Sequence, residues 1–84
     1  MNLFMVFLNN ISKIKGIPSE VKTFIENCND TLSYTAPEAY GEKIRGFSSD
    51  FNVLMMRHKS WNSKFIKIYN DVYKNSGYDL ITEH

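Results

Sequence analysis

The sequence predicts an all-α protein, and three of its features indicate that fold class. Large side chains recur at alternating spacings of three and four residues from position 40 to position 72, which is the pattern of one face of an amphipathic helix. Residues that favour helix starts and helix stops flank this pattern. The apolar run at residues 3–8 has the length of a buried strand, but its helical spacing continues past residue 8 and indicates a helix.

The longest predicted element is a helix over residues 36–76. Thr35 and Glu38 have the spacing of a capping box, Pro37 suits the first turn, and Gly77 suits the C-terminal end. We call its regularly spaced face the apolar seam, and its members are Tyr40, Ile44, Phe47, Phe51, Leu54, His58, Trp61, Phe65, Ile68 and Val72. One continuous helix of this span would be roughly 60 Å long, at about 1.5 Å per residue.

Two shorter helices are predicted ahead of the long one, over residues 2–15 and 18–29. Gly16 is a natural C-terminal cap for the first helix, and Pro18 is well suited to open the second. Asparagine and aspartate near residue 29 weaken the second helix, so its end is placed there. The prediction is therefore a single small domain over residues 1–84, in which an N-terminal helical hairpin packs on one long C-terminal helix.

An alternative architecture arises from four poor helix formers inside the long helix, which are Gly41, Gly46, Ser48 and Ser49. A break at residues 46–49 would give a four-helix bundle and a compact monomer. The apolar seam keeps its phase through this region, whereas a loop would normally reset it. A continuous helix, straight or bent at this point, is therefore favoured.

The width of the apolar face predicts self-association. The centre of the core is expected at four seam residues, namely Phe51, Leu54, Trp61 and Phe65. Further apolar side chains widen the same face: Met55, Met56, Ile66, Tyr69 and Tyr73. A hairpin of roughly 20 Å cannot cover a helix of roughly 60 Å, so we predict a homodimer through the long helix.

Composition and charge exclude several classes of protein. The hydrophobic fraction of 43% and the aromatic fraction of 14% are those of a folded chain. A net charge of +1 provides no global attraction to nucleic acid or to an anionic membrane. Cys28 is the single cysteine, so no disulfide is expected within the chain and a cytoplasmic location is predicted. The apolar N-terminus has no basic residues before it and is too short to span a membrane, so neither a signal peptide nor a membrane partner is expected.

No motif for catalysis, a metal or a cofactor is recognisable. Cys28 shares a helix face with apolar residues, which is typical of a small buried side chain. His58 lies on the apolar seam and is therefore expected to be half-buried with one hydrogen-bond partner. A metal site with two histidines is not expected, because His84 at the chain end is the only other histidine. We therefore predict a protein without a cofactor and without enzymatic activity.

Positive charge concentrates on the predicted long helix. Residues 36–76 hold seven basic and four acidic side chains, a net charge of +3, whereas residues 1–35 hold three of each. Several basic residues recur at helical spacing beside the seam, and we call them the basic stripe: Arg57, Lys64, Lys67 and Lys74. Such a stripe beside aromatic side chains can bind phosphates or an acidic protein, although a solvated helix face has the same pattern.

Two hypotheses for function arise from these features. The first is a non-enzymatic interaction protein with exposed anchor residues beside the seam. It is expected to bind and modulate another macromolecule through Arg57, Lys64, Lys67, Tyr69 and Tyr73. The second is a small nucleic-acid-binding protein that uses the basic stripe of the predicted long helix, and its candidate phosphate-binding residues include Arg45, Lys59 and Lys74. Abundant Asn, Lys, Ile, Phe and Tyr, which have AT-rich codons, are typical of an AT-rich bacterium, phage or mobile element. A phage or mobile-element inhibitor of a host or defence protein is one expected form of the first hypothesis.

Overall fold

The computed structural model of the chain describes residues 2–78 and 80–81. Within these residues the chain forms four α-helices and no strand, which confirms the all-α prediction. They are α1 (Leu3–Ser12), α2 (Ser19–Ser33), α3 (Tyr40–Met56) and α4 (Asn62–Tyr73). Short 3-10 turns at Pro37–Ala39 and Lys59–Trp61 lead into α3 and α4.

The N-terminal hairpin has the predicted form. The Asn2 side chain caps α1, and its Oδ1 accepts a hydrogen bond from the Phe4 N–H at 2.8 Å. Gly16 lies at φ +80°, so the turn between α1 and α2 uses the left-handed conformation that glycine favours. Pro18 lies immediately before the first residue of α2.

The predicted ends of both hairpin helices are corrected by the structure. α1 stops at Ser12 rather than at residue 15, and the Ser12 hydroxyl donates to the Asn9 carbonyl at 2.7 Å. α2 continues to Ser33 rather than ending at residue 29. The Asn29 amide donates to Asn9 Oδ1 at 2.7 Å, and this contact between the helices offsets the low helix propensity of asparagine.

The prediction of one long helix over residues 36–76 is wrong. The helix ends at Met56, and His58 leaves the helical region with φ −131° and ψ 46°. The molecule measures 38 × 32 × 20 Å, dimensions that cannot hold a straight helix of roughly 60 Å. The four-helix alternative has the right number of helices, but the break lies at residues 57–58 instead of 46–49.

Local sequence and tertiary contacts together place this break. His58, Ser60 and Asn62 all have low helix propensity. The break lets α4 turn back and pack against α1, which buries apolar side chains that a straight continuation would leave in water. The apolar seam keeps its phase because the 3-10 turn leaves His58 and Trp61 one turn apart, and the Trp61 N–H donates to the His58 carbonyl at 2.9 Å.

The helix is continuous through residues 46–49, as predicted. We expect Gly46→Ala to stabilise the protein by up to about 1 kcal/mol, because glycine is unfavourable in a helix interior. A Cβ added at Gly46 would meet no atom within 4 Å, so no clash opposes this gain. Gly16→Ala is the matched control, since Gly16 lies at φ +80° and alanine should destabilise there. Urea unfolding measures both effects, and a loss of stability in Gly46→Ala would contradict a continuous α3.

The core lies mainly within the hairpin and the faces of α3 and α4 that meet it. Its buried apolar residues are Met5, Phe7, Leu8, Ile11, Val21, Ile25, Cys28, Phe51, Leu54, Phe65 and Tyr73. The most deeply buried of them belong to the hairpin and are Leu8, Ile11, Val21 and Ile25. Three of the four residues predicted at the core centre are buried, but Trp61 is half-buried in the 3-10 turn, and that part of the prediction is wrong.

Phe51 joins the four helices at one point. Its ring centroid lies 6.3 Å from that of Phe4 and 5.6 Å from that of Phe7, both on α1. Phe24 of α2 stacks on it at 6.1 Å, and Phe65 of α4 lies at 5.8 Å. A single side chain of α3 thus contacts a ring from each of the other three helices.

The argument for a homodimer depended on the long helix. Because α4 turns back, its apolar face is covered by α1 of the same chain, and the surface proposed for self-association is not a continuous one. The homodimer therefore remains a prediction without that support.

Candidate interaction groove

A groove opens between α3 and α4. α1 packs extensively against α2 and α4, and α2 packs against α3, whereas α3 and α4 have no extensive contact with each other. Phe7 of α1 bridges the gap, because its ring centroid lies 5.6 Å from both Phe51 of α3 and Tyr69 of α4. Phe51 of α3 also contacts Phe65 of α4 directly, with ring centroids 5.8 Å apart, so α1 forms an aromatic floor between two helices that make little contact elsewhere.

Two adjoining cavities, of about 550 and about 410 Å³, make up this space, which we call the aromatic groove. Four residues line both cavities, namely Phe4, Ser48, Tyr69 and Tyr73. The first cavity also includes Ile44, Arg45 and Tyr78. The second also includes Met55, Phe65, Ile66 and Ile81. The groove is open to solvent along a wall that is largely aromatic and aliphatic.

Tyr69 and Tyr73 form one wall of the groove. Their rings stack with centroids 4.3 Å apart, and the Tyr78 ring meets Tyr73 edge-on at 5.5 Å. Burial raises the pKa of the Tyr73 hydroxyl, with smaller contributions from Tyr69 and Tyr78. The sequence predicted both Tyr69 and Tyr73 as exposed anchors. That prediction is corrected, because Tyr73 is buried with 8% of its surface exposed and Tyr69 is half-buried.

Arg45 supplies the charge of the groove. Among the described residues that line the two cavities, it is the one charged side chain, and no described carboxylate pairs with it. The sequence predicted Arg45 as a candidate phosphate-binding residue, and the structure places it beside Tyr69 and Tyr73 in the first cavity. The groove therefore offers an unpaired positive charge next to aromatic surface.

Arg57 is committed to a structural contact outside the groove. Its Nε donates to Glu20 Oε1 at 3.0 Å, and His58 Nε2 lies 2.8 Å from Glu20 Oε2. These bonds tie the break between α3 and α4 to the first turn of α2. The hydrogen bonds from Arg57 and then from His58 hold the pKa of the Glu20 carboxyl below its usual value of 4.5. His58 is half-buried with a hydrogen-bond partner, as predicted.

We expect Glu20→Gln to lower the melting temperature at neutral pH and to abolish an acid-dependent part of the stability. Because the Glu20 pKa is lowered by folding, its contribution is fully present above the usual value of 4.5 and is lost as pH falls through the lowered pKa. The melting temperatures of wild type and variant should therefore converge as the pH falls below 4.5 and through the lowered pKa of Glu20. Glu26→Gln is the control, since Glu26 is exposed on the same helix and forms none of these bonds. A difference that persists undiminished at the acid end would contradict the assignment.

The other members of the predicted basic stripe do not share one helix face with Arg57. Lys64 lies on α4 with its Nζ 4.7 Å from the centre of the Trp61 ring. Lys74 Nζ lies 3.5 Å from Asp71 Oδ1, and Lys59 and Lys67 are exposed. The break at residues 57–58 divides the stripe, so the prediction of a continuous basic face on one helix is wrong. Phosphate binding by these lysines remains a prediction.

Two further features bear on chemistry. Burial raises the pKa of the Cys28 thiol to about 11, with a smaller contribution from Asp50, so the thiol is protonated at neutral pH. Within residues 2–78 and 80–81, no three His, Cys, Asp or Glu side chains lie close enough together to hold a metal ion. In the same part of the chain, no helix is both long enough and apolar enough to cross a bilayer. His84 lies outside the described residues.

Sequence reasoning did not identify the floor of the groove, which α1 forms, or the contact between Asn70 and Ile81 at the second cavity. Phe4 and Phe7 have the spacing of core residues, and nothing in that spacing indicates that they face a gap between α3 and α4. Asn70 and Ile81 carry no local signal either. Their contact, described below, joins residues eleven positions apart through a reversal of the chain.

No protein-family model, curated protein or solved structure matches this chain. Over residues 2–78 and 80–81, the chain is a small four-helix protein with an aromatic groove that is open to solvent. A function is therefore inferred from the geometry and chemistry of that surface.

Proposed function

We propose that this protein is a non-enzymatic interaction protein that binds a peptide segment of another protein in the aromatic groove and so modulates it. The observation that carries the proposal is the limited contact between α3 and α4 over an aromatic floor, which leaves adjoining cavities of about 550 and about 410 Å³. Concave, mostly apolar sites with a few placed polar groups are the usual binding sites of proteins. An apolar side chain that enters the groove removes apolar surface from water on both partners.

The lining of the groove defines the chemistry of the partner segment. Half-buried Tyr69 offers aromatic surface, and buried Tyr73 supports it by ring stacking. Tyrosine and arginine are frequent anchors of protein interfaces. Arg45 is free to form a two-point contact with a carboxylate, and no acidic residue among those described lines the groove to repel one. We infer a segment that combines an aliphatic or aromatic residue with an acidic one. Three residues predicted from sequence, Arg45, Tyr69 and Tyr73, are thereby used in one site.

The proposal includes a cellular setting. The unpaired Cys28 fits a reducing compartment such as the cytoplasm. The AT-rich amino acid usage favours a phage or mobile element as the source, and we propose an inhibitor of a host or defence protein as the form of modulation. Self-association is not required for this function.

Selection from a random peptide library displayed on phage, against the immobilised full chain, tests the proposal. We expect the selected peptides to converge on an apolar residue near an acidic one. Arg45→Glu should weaken binding of these peptides by about tenfold or more, because it turns an attractive charge into a repulsive one. Lys22→Glu makes the same change of charge on the exposed face of α2, away from the groove, and should leave binding unchanged.

The same variants separate this function from nucleic-acid binding. A nucleic-acid-binding protein should bind DNA or RNA with an affinity that falls steeply with salt, and Lys67→Gln should reduce the salt slope. Peptides that fail to converge, or that bind Arg45→Glu as well as wild type, would overturn the groove as the binding site. Salt-dependent binding to nucleic acid without peptide binding would favour the second hypothesis.

A further inference from the structure

The chain returns to the groove after α4 ends. Gly77 lies at φ +87° and reverses the backbone, and Tyr78 then packs against Tyr73. Asn70 of α4 holds Ile81 by two hydrogen bonds to its backbone. The Ile81 N–H donates to Asn70 Oδ1 at 2.8 Å, and Asn70 Nδ2 donates to the Ile81 carbonyl at 2.8 Å. The Ile81 residue lines the second cavity of the groove.

The Asn70 contact has the chemistry of peptide recognition. A primary amide presents one acceptor and one donor side by side, so it can satisfy both backbone groups of one residue, as a neighbouring strand does. Such a contact requires a residue whose N–H and C=O are free of helical bonds, and it does not depend on the side chain. The adjoining cavity then selects the side chain, because its lining includes Phe65 and Ile66.

The tail contact leaves the groove largely unfilled. Ile81 is 42% exposed and Leu80 is 49% exposed, although both are aliphatic. The second cavity still measures about 410 Å³ with Ile81 in place. Ile81, which Asn70 holds at the edge of an open cavity, is well placed to exchange with a ligand that fills the cavity.

We propose that Asn70 and the aromatic groove recognise the backbone of an extended peptide segment with an aliphatic side chain, and that Ile81 of the same chain holds this site until the partner segment displaces it. The inference rests on the proposed function and names the kind of segment bound. A tethered tail competes at high effective concentration, so the partner must bind more tightly than the tail does. In a ligand that runs in the same direction as the tail, the aliphatic residue takes the place of Ile81 at the second cavity. The residue three positions before it then lies at the first cavity, which Tyr78 and Arg45 line.

Fluorescence anisotropy with a labelled synthetic peptide tests this exchange. The peptide has the sequence of residues 77–84, and the protein is the full chain in four forms: wild type, Ile81→Ser, Ile81→Ser with Asn70→Asp, and Ile81→Ser with Asn52→Asp. We expect Ile81→Ser to bind the peptide at least about tenfold more tightly than wild type, because the tethered competitor is weakened. Adding Asn70→Asp should weaken binding about tenfold or more, since a carboxylate cannot donate to the peptide carbonyl.

Asn52→Asp is the matched control for this substitution. Asn52 lines the same cavity from α3 and forms no hydrogen bond to the described tail residues, 77–78 and 80–81, so its double variant should bind as Ile81→Ser does, within about twofold. Circular dichroism establishes that each variant is folded. Equal binding by wild type and Ile81→Ser, or equal losses in the two aspartate variants, would overturn the proposal.

A measurement on the unmodified chain gives an independent test. In ¹⁵N-labelled wild type, a peptide selected by phage display should move the Ile81 amide signal to its random-coil position while the Asn70 side-chain amide stays shifted. If selected peptides bind in an Arg45-dependent way without moving the Ile81 signal, the exchange fails and the proposed function stands. If neither selected peptides nor the tail peptide bind any form, both fail. A wild-type dimer that Ile81→Ser converts to monomer would place the tail in a second copy and overturn its position in the same chain.

Discussion

Phe51→Ala is expected to destabilise the protein by about 3 to 5 kcal/mol, the range for truncating a large buried aromatic side chain. Phe51 is 5% exposed, and its ring contacts one or two rings from each of the other three helices. The variant would therefore leave a cavity that no single helix can close by shifting. A chain of 84 residues has a total stability of roughly 4 to 13 kcal/mol, so this one change removes a large part of it.

Phe47→Ala is the matched control for Phe51→Ala. Phe47 has the same side chain on the same helix, one turn earlier, but it is half-buried and takes part in none of the ring contacts found among the described residues. Its loss should cost less than half as much. Chemical denaturation followed by circular dichroism measures both variants. Equal costs would contradict the central position assigned to Phe51.

Leu8→Ala is expected to cost about 3 to 5 kcal/mol, because Leu8 is 0% exposed in the middle of α1. Trp61→Ala should cost about 1 to 2 kcal/mol, although tryptophan is the larger side chain. Trp61 is half-buried, stacks on Phe65 with centroids 6.0 Å apart, and has the Lys64 ammonium group on one ring face. The sequence alone predicted a cost of about 3 to 5 kcal/mol for Trp61→Ala, from its place on the apolar seam.

The comparison between Leu8 and Trp61 locates the core experimentally. Urea unfolding monitored at the far-ultraviolet helix signal gives both free energies of unfolding without relying on tryptophan fluorescence. A larger loss for Trp61→Ala than for Leu8→Ala would place the core centre on the 3-10 turn and not in the hairpin. It would also support the position that the apolar seam predicted.

The candidate site was partly predictable from residue types. Arg45 was singled out as a candidate phosphate-binding residue, and Tyr69 and Tyr73 were singled out because aromatic residues and arginine are common in interfaces. All three line the first cavity. Arg57 was singled out on the same grounds, yet it pairs with Glu20 and contributes to the fold. Residue type identifies groups that are able to bind, but it does not show which of them are already engaged within their own chain.

Local sequence was sufficient to predict those parts of the structure that depend on residues within one or two helical turns of each other. Helical periodicity indicated an all-α chain, Gly16 marked the turn of the hairpin, and the unbroken seam showed that α3 continues through Gly46. These features depend on side chains three or four positions apart on one helix face.

Tertiary contacts, acting with the low helix propensity of the residues after Met56, decided where the predicted long helix ends, and tertiary structure alone decided where a groove opens. The break depends on Glu20, which lies 37 positions before Arg57, and on the apolar surface that α4 buries against α1. The position of Ile81 at the second cavity depends on its hydrogen bonds to Asn70 and on the reversal of the backbone at Gly77. A periodic pattern shows which side chains share a face, but the free energy of burying that face depends on elements distant in sequence. A 3-10 turn keeps residues three positions apart on one side, so it can interrupt the helix without disturbing the pattern.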